Sequence, residues 1–227
     1  IDGDGISHIT SDGDGQTRIF RVQNPGDGLQ TVVTLNGLDL TNGFASNDWG
    51  GAVLVDFGAD ATIRNSAIFG NAADDAGGGV AVDFATLTIE NSQIFGNTSR
   101  DGGGVYASDS QTVILDSEIS GNFGNFGGGI HATGFGDTFN SLAIVNTAIE
   151  GNNANNDGGG LYIDSLAVDA ALTNVTVADN AAGTFGGGIA LYEAAIDATN
   201  LTVADNRATV GGGIYIDRNE GNTTLSQ

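Results

Sequence analysis

Cysteine, methionine and lysine are all absent from this 227-residue chain, and proline occurs only once. Without cysteine there can be no disulfide framework, no thiolate metal site and no thiol nucleophile. No stretch approaches the roughly 18 consecutive apolar residues that a membrane-spanning helix needs. These absences exclude a disulfide framework and a membrane-spanning helix within these 227 residues.

Basic residues are also scarce, because six arginines stand against 28 acidic residues and the net charge is −22. A charge of this sign repels phosphate backbones and anionic lipids, which argues against nucleic acid and acidic membranes as partners. It suits solubility in salt and the binding of divalent cations. Because the chain begins at Ile1 rather than at methionine, we expect Ile1 to be a processing boundary or an artificial start, with any targeting segment removed.

Glycine, by contrast, is abundant, with 38 residues. A glycine run followed by a branched apolar residue occurs seven times, and successive runs begin 25 to 31 residues apart. A nearly fixed period in this range is the signature of a repeat architecture. The seven runs begin at Gly50, Gly77, Gly102, Gly127, Gly158, Gly186 and Gly211.

Each repeat contains three short segments of alternating apolar residues, which predict β-strands. The first follows the glycine run, as in Val80-Ala81-Val82, and the second comes later, as in Leu87-Thr88-Ile89. An aliphatic residue such as Ile94 marks the third. No segment keeps a 3.6-residue apolar period, so we expect few helices.

Two asparagine positions recur in every repeat and flank the third strand. Asparagine tolerates the left-handed backbone conformation of a corner, and its amide both donates and accepts hydrogen bonds, so stacked copies can satisfy one another. We therefore predict two structural ladders along the stack. The first holds Asn65, Asn91, Asp116, Asn146, Asn174 and Asn200, and the second holds Asn71, Asn97, Asn122, Asn152, Asn180 and Asn206.

Three short strands cannot bury their apolar faces alone, but identical coils stacked on one another share a core. Each strand would pair in parallel with its copy in the next coil, about 4.8 Å away. We predict one all-β domain over residues 1–227, a right-handed parallel β-helix (β-solenoid) of about eight coils of about 25 residues, with three short strands per coil. Residues 1–49 form irregular initial coils, 50–216 the regular repeats and 217–227 a final partial coil.

The alternation of (Ile/Val)-x-(Gly/Asp)-Asn with Gly-Gly-(Gly/Ala)-(Ile/Val/Leu) resembles the FxxN and GGA(I/L/V) repeats of bacterial polymorphic outer-membrane proteins. It is equally similar to the wider class of secreted bacterial right-handed β-helix repeat proteins. Ile68-Phe69-Gly70-Asn71 before Gly77-Gly78-Gly79-Val80 is representative, and the resemblance covers residues 36–216. This chain has Ile or Val in place of the family's Phe, and Gly for the usual Ala. The resemblance implies a secreted or cell-surface bacterial protein of the autotransporter-passenger type, with an adhesive or structural role.

Parallel β-helices often act on polysaccharides, and that chemistry needs clustered carboxylates, or a strong base beside calcium-binding acids. Asp74-Asp75 is the only adjacent aspartate pair, and it stands in the corner before a glycine run rather than on a strand face. Lysine is absent, and the arginines share no column. The residues therefore favour a non-enzymatic protein and identify no catalytic group, while an enzyme stays the alternative.

Aromatic residues recur at the outward position of the first strand and predict a surface stripe. Such a stripe can stack on sugars or pack on a protein partner. Phe69 and Phe95 predict a second exposed apolar patch. The stripe comprises Tyr106, His131, Tyr162 and Tyr215.

Two Asp-Gly-Asp-Gly loops near the start contribute Asp2, Asp4, Asp12 and Asp14. Hard carboxylate oxygens in flexible glycine turns suit calcium. The twelve-residue calcium loop is not completed, however, and turn chemistry alone also explains Asp-Gly pairs. Calcium is the one cofactor that the sequence suggests.

The leading functional hypothesis is a non-enzymatic extracellular or cell-surface β-solenoid with a structural or adhesive role. An open solenoid end exposes unpaired strand edges, and neither end of the sequence predicts a capping helix, so head-to-tail self-assembly into a fibre is a further expectation. The alternative is a β-helix that binds or degrades polysaccharide. The expected partners are therefore a second copy of the chain, or a surface polysaccharide or protein.

Overall fold

The computed structural model describes residues 9–26, 29–134, 140–164, 169–217 and 223–227. Within these ranges the chain forms strands and no helix. In chain order the strands are β1 (Ile9–Asp12), β2 (Phe20–Gln23), β3 (Val32–Asn36), β4 (Leu38–Thr41), β5 (Phe44–Ala45), β6 (Val53–Asp56), β7 (Asp60–Arg64), β8 (Ala67–Phe69), β9 (Ala72–Ala73), β10 (Val80–Asp83), β11 (Thr86–Glu90), β12 (Gln93–Phe95), β13 (Val105–Ser108), β14 (Gln111–Leu115), β15 (Glu118–Ser120), β16 (Phe123–Phe126), β17 (Ile130–Thr133), β18 (Ser141–Val145), β19 (Ala148–Glu150), β20 (Asn153–Asp157), β21 (Leu161–Ile163), β22 (Asp169–Ala178), β23 (Ala181–Ala182), β24 (Ile189–Tyr192), β25 (Ala195–Ala204), β26 (Ile214–Asp217) and β27 (Thr224–Ser226).

The strands form two long sheets of coil-to-coil neighbours. Sheet 1 has eight strands in the order β2-β6-β10-β13-β17-β21-β24-β26, and sheet 2 has fourteen. Pairing is parallel and in register between equivalent strands, as between β10 and β13. Two narrower ladders, β5-β9 and β16-β20-β23, line the corner before the glycine runs. The chain makes about seven turns, close to the eight expected, and the predicted all-β parallel solenoid is confirmed.

The core is a set of aliphatic columns that run through the stack. In the aliphatic column of sheet 1, the first six members, from Val53 to Ile189, are fully buried. Each member pairs in register with the next. Burying these side chains between coils supplies the apolar contribution that a single coil cannot provide. The column is Val53, Val80, Val105, Ile130, Leu161, Ile189 and, half-buried at its end, Ile214.

The glycine run is required by the close approach of backbones before sheet 1. Gly77 has a φ of +63°, and a Cβ built on it would lie 2.5 Å from the carbonyl oxygen of Val80. A Cβ on Gly78 would lie 2.5 Å from the carbonyl oxygen of Gly103 in the next coil. Any side chain at either position would displace backbone, so the coil spacing depends on glycine there.

The first asparagine column forms an exposed ladder, here called the outer ladder, at the corner between the two strand rows of sheet 2. All six members have φ values between 47° and 55°, the left-handed conformation that Asn and Asp tolerate best. Nδ2 of Asn91 donates to Oδ1 of Asn65 at 2.6 Å, and Nδ2 of Asn174 donates to Oδ1 of Asn146 at 2.9 Å. The outer ladder therefore combines a backbone requirement with side-chain bonds between coils.

The second asparagine column, which is buried except for the half-buried Asn206, forms what we call the inner ladder. Asn122 donates twice from Nδ2, to Oδ1 of Asn152 at 3.0 Å and to the carbonyl oxygen of Ile94 at 2.9 Å. Its Oδ1 accepts from both the backbone N–H and Nδ2 of Asn97, each at 3.0 Å. The side-chain amide thus uses both of its hydrogens and both of its acceptor positions.

A third ladder, of hydroxyl groups, was not predicted from the sequence. In four coils the residue after the outer-ladder position accepts a backbone N–H from the preceding coil, as when Ser66 N–H donates to Oγ of Ser92 at 3.2 Å. The hydroxyls are buried and run through Ser66, Ser92, Ser117 and Thr147. Later coils have Val175 and Leu201 there, which pair in register inside the continuous ten-residue strands β22 and β25. Hydroxyl groups therefore accompany a broken strand at this corner, and aliphatic residues accompany a continuous one.

Candidate ligand-binding site

The outward side chains at the second position of the sheet 1 strands form one row. Tyr106 pairs in register with His131, and His131 with Tyr162. The next coil has Ala190 at this position and the following one has Tyr215. The four aromatic residues singled out in the sequence therefore do share one register row.

Tyr192 fills the gap that Ala190 leaves in this row. It stands two residues further along β24, so it lies on the same side of the sheet. Its ring centroid is 5.5 Å from that of Tyr162 and 5.6 Å from that of Tyr215. Sequence reasoning followed a single column and missed Tyr192, although the two-residue alternation of a strand is a signal that identifies it.

Ring contacts join eight side chains into a continuous set, here called the aromatic row. His131 packs edge-on between Tyr106 and Tyr162, with centroid distances of 5.1 and 4.8 Å. Three rings from the corner before the glycine runs each pack on one of the tyrosines. All four tyrosines and the only tryptophan of the chain belong to this row. Its members are Trp49, Tyr106, Phe126, His131, Tyr162, Phe185, Tyr192 and Tyr215.

Much of the aromatic row is covered, which corrects the expectation of an exposed stripe. The exposed fraction is 9% for Tyr106, 6% for His131 and 8% for Tyr162. The cover comes from the residues just before each glycine run, which form their own parallel column, as in the bridge between Trp49 and Ala76. The expectation from the sequence assumes that side chains pointing away from the core are exposed to solvent. The tight turn at the glycines instead brings the preceding corner back over the outer face of sheet 1, where it covers these side chains.

The aromatic row meets solvent at the later coils, where Tyr192 and Tyr215 are half-buried. A cleft of about 400 Å³ opens beside them. We call it the tyrosine–carboxylate cleft, because two phenol rings and three carboxylates line it. The lining residues are Tyr162, Asp164, Tyr192, Glu193 and Asp217.

A buried imidazole stands behind one of these carboxylates. Nε2 of His131 lies 3.2 Å from Oδ1 of Asp164, an ion pair when the imidazole is protonated. Nδ1 of His131 is buried and has no hydrogen-bond partner among the described residues. Asp164 is half-exposed, so the contact with His131 positions a carboxylate that still reaches the cleft.

The phenol groups of the cleft are neutral. Burial raises the pKa of Tyr162 and of Tyr192, and nearby carboxylates, Asp164 and Asp157 respectively, raise it further. Burial also raises the pKa of Tyr106 to about 12. The Tyr192 hydroxyl donates to Oδ2 of Asp157 at 3.1 Å. The cleft therefore presents uncharged rings beside ionisable carboxylates.

This combination of aromatic rings and carboxylates can bind a ligand in two ways. Aromatic faces stack on apolar ring surfaces and attract cations. Carboxylates accept hydrogen bonds from hydroxyl or ammonium groups. The arrangement is that of a site for a polar, ring-containing or cationic ligand.

The predicted calcium loops are only partly described. Asp2 and Asp4 lie outside the described residues. Oδ1 of Asp12 accepts the backbone N–H of Asp14 at 2.8 Å, and its Oδ2 accepts from Asn42 at 3.1 Å, so these carboxylate oxygens stabilise a turn. Across the described ranges, no group of three or more His, Cys, Asp or Glu is arranged to hold a metal ion. Calcium at these loops stays a prediction.

The remaining candidates make contacts within the solenoid. Oδ2 of Asp74 accepts a backbone N–H from the preceding coil at 2.9 Å, and Asp75 pairs with Arg100 at 3.4 Å. The Phe69 and Phe95 rings stack nearly parallel, 5.0 Å apart, and Phe95 stays exposed while Phe69 is half-buried. In the part of the chain that the structure describes, no helix has the length and apolar character needed to cross a bilayer.

Comparison with known families agrees with this architecture. A family model described as a right-handed β-helix region matches residues 3–147, more than half of the chain. Neither the curated proteins nor the solved structures gave a match. The residues that line the cleft lie beyond the matched segment.

Proposed function

Because the chain belongs to the right-handed β-helix family, we propose that it is a non-enzymatic scaffold outside a bacterial cell that adheres to a polysaccharide. The repeats that resemble FxxN and GGA(I/L/V) motifs support a secreted or cell-surface protein of the autotransporter-passenger type. A stiff stack of coils holds surface side chains at fixed spacing, which suits an adhesive surface.

The tyrosine–carboxylate cleft is the observation that carries the proposal. Earlier coils have Leu54 and Ala81 at the positions where later coils have tyrosines. In the later coils, the half-buried ring of Tyr192 and the largely covered ring of Tyr162 line one cavity together with three carboxylates. Concave sites with aromatic walls and a few polar groups are the usual form of a ligand site.

Affinity electrophoresis tests the proposal. The protein is run through gels that contain a neutral glucan, an acidic pectin or an amino polysaccharide, and adhesion retards it in at least one of them. Replacing Tyr192 by alanine removes a wall of the cleft and is expected to weaken retardation about tenfold. Phe95→Ala, an aromatic truncation on sheet 2, is the matched control and is expected to migrate like the parent chain.

Circular dichroism of both variants checks that the β-helix is intact. If no polysaccharide retards the parent chain, or if Tyr192→Ala and Phe95→Ala behave alike, the proposal is wrong. The non-enzymatic part has its own test, because incubation with the same polysaccharides should release no unsaturated or new reducing-end products. Such products would establish the enzymatic alternative.

A second proposal concerns self-assembly, and one contrast in burial favours it. Ile216 in β26 is 44% exposed, whereas Leu191, its register partner in β24, is fully buried. Sheet 1 ends at β2 and β26, and each of these strands has one neighbour among the described residues. We propose that β26 of one copy pairs in parallel with β2 of the next.

Electron microscopy over a range of protein concentrations tests the stacking. Rods that lengthen with concentration are expected, and an Ile216→Lys variant, which places a charge in the contact, should shorten them. Rods of one length at every concentration would contradict this second proposal.

A further inference from the structure

We infer that the tyrosine–carboxylate cleft selects a protonated amine, so that the polysaccharide which it binds is an amino sugar polymer with free amino groups. The inference rests on the proposed function and names the chemistry of its ligand. Two independent features carry it: the carboxylates of the lining, and the orientation of the phenol rings beside them.

The first feature is the charge of the lining. Asp164, Glu193 and Asp217 contribute three carboxylates to the lining that the structure describes. The cleft lies on a chain with a net charge of −22. This field attracts cations from a distance and repels acidic saccharides such as pectin. Neutral sugars gain nothing from it.

The second feature is the pair of rings. The Tyr162 and Tyr192 centroids are 5.5 Å apart, and the ring planes are inclined by 51°. Tyr162 is 8% exposed and Tyr192 is half-buried, so an ammonium group in the cleft approaches chiefly the Tyr192 ring, within the roughly 6 Å over which a phenol face attracts a cation. The rings are neutral, so they contribute this attraction together with apolar contact for a sugar ring.

The carboxylates are also positioned before any ligand arrives. His131 holds one oxygen of Asp164, with Nε2 to Oδ1 at 3.2 Å. The backbone N–H of Glu193 donates to the carbonyl oxygen of Asp217 at 3.0 Å, which joins the two segments that carry the other two carboxylates. A site organised in this way loses less conformational entropy on binding.

A bare metal ion fits the cleft less well than an organic cation. Within the described residues, no three acidic or histidine side chains are close enough to share one ion. The space of about 400 Å³ between rings and carboxylates accommodates a cationic sugar unit, which spans the distance that a single ion does not.

Isothermal titration calorimetry with two oligosaccharides of equal length provides the test. One is a fully deacetylated glucosamine hexamer, and the other is its fully N-acetylated counterpart, at a pH at which the amines are protonated. We expect the deacetylated hexamer to bind at least about tenfold more tightly, with an affinity that falls as salt is added.

Two matched double variants assign that preference to the cleft. Glu193→Gln with Asp217→Asn removes two lining charges and is expected to reduce the affinity for the deacetylated hexamer about tenfold. Asp197→Asn with Asp205→Asn removes two exposed charges elsewhere and should change it less than about twofold. The two variants have the same net charge, so a difference between them reports the site and not the overall field.

The outcomes separate the inference from the proposed function. If both hexamers bind equally and both double variants bind like the parent chain, the amine inference is overturned while polysaccharide binding survives. If neither hexamer binds and no polysaccharide retards the protein in gels, both are overturned. Stoichiometric displacement of the deacetylated hexamer by calcium would identify a metal site instead, and would also overturn the inference.

Discussion

The inner and outer asparagine ladders use the same residue at the same spacing for different physical purposes. At an inner-ladder residue such as Asn122 the amide is buried, and all of its hydrogen-bonding groups are used. In the outer ladder most members are exposed, and the shared property is a left-handed backbone. The inner position needs an amide, whereas the outer position needs a residue that tolerates positive φ.

The residues found in the two ladders reflect this difference. Asp116 occupies one rung of the outer ladder, while all six rungs of the inner ladder are asparagine. A carboxylate accepts but does not donate, so it can stand at Asp116 and receive Nδ2 of Asn146 at 3.0 Å. At an inner rung it would face another acceptor while buried. The tolerance for aspartate therefore distinguishes the two ladders.

The largest loss of stability is expected when aspartate replaces an asparagine of the inner ladder. Asn122→Asp keeps the shape of the side chain but removes two donors and buries a charge, so we expect a loss of about 3–5 kcal/mol in the free energy of unfolding. Urea denaturation measures the loss. A variant as stable as the parent chain would show that the inner amide bonds contribute little.

The matched change in the outer ladder should cost much less. Asn174→Asp removes only the bond from Nδ2 to Oδ1 of Asn146, 2.9 Å long, in an exposed position, and aspartate keeps the left-handed conformation. We expect a loss of about 1 kcal/mol in the same urea experiment. A loss equal to that of Asn122→Asp would contradict the distinction between the ladders.

The smallest expected effect is an increase in the free energy of unfolding. Asp116→Asn supplies the amide that can donate to Oδ1 of Asn91 and complete the outer ladder. It also removes one charge from an acidic chain. We expect about 0.5–1 kcal/mol of added stability, seen as a higher urea midpoint with an unchanged slope. A destabilised variant would mean that the carboxylate of Asp116 has a role beyond accepting one bond.

Sequence periodicity predicted the columns well because stacking in register depends only on spacing. It placed Val80 beside Val105 and Tyr106 beside His131. It did not predict what covers a column, since the fold of the corner over sheet 1 depends on how the chain turns at the glycines. For the same reason it did not separate the buried amide of Asn122 from the exposed amide of Asn174.

The tyrosine–carboxylate cleft was harder to foresee. Tyr192 and Glu193 stand outside the repeating columns, and Asp164 becomes significant only through its contact with His131. The hydroxyl ladder was missed because serine and threonine are unremarkable in corners. Both features depend on residues that differ between coils, and a search for repetition overlooks such residues.

The aromatic row also gives the molecule an optical property. Every tyrosine is linked by ring contacts to Trp49, the only indole in the chain. Excitation energy absorbed by the tyrosines can therefore be transferred over short ring-to-ring distances towards Trp49. Trp49 emission excited through the phenols is therefore expected to depend on the rings along the row, and a molecule bound against Tyr192 is expected to change this sensitised emission without any added label.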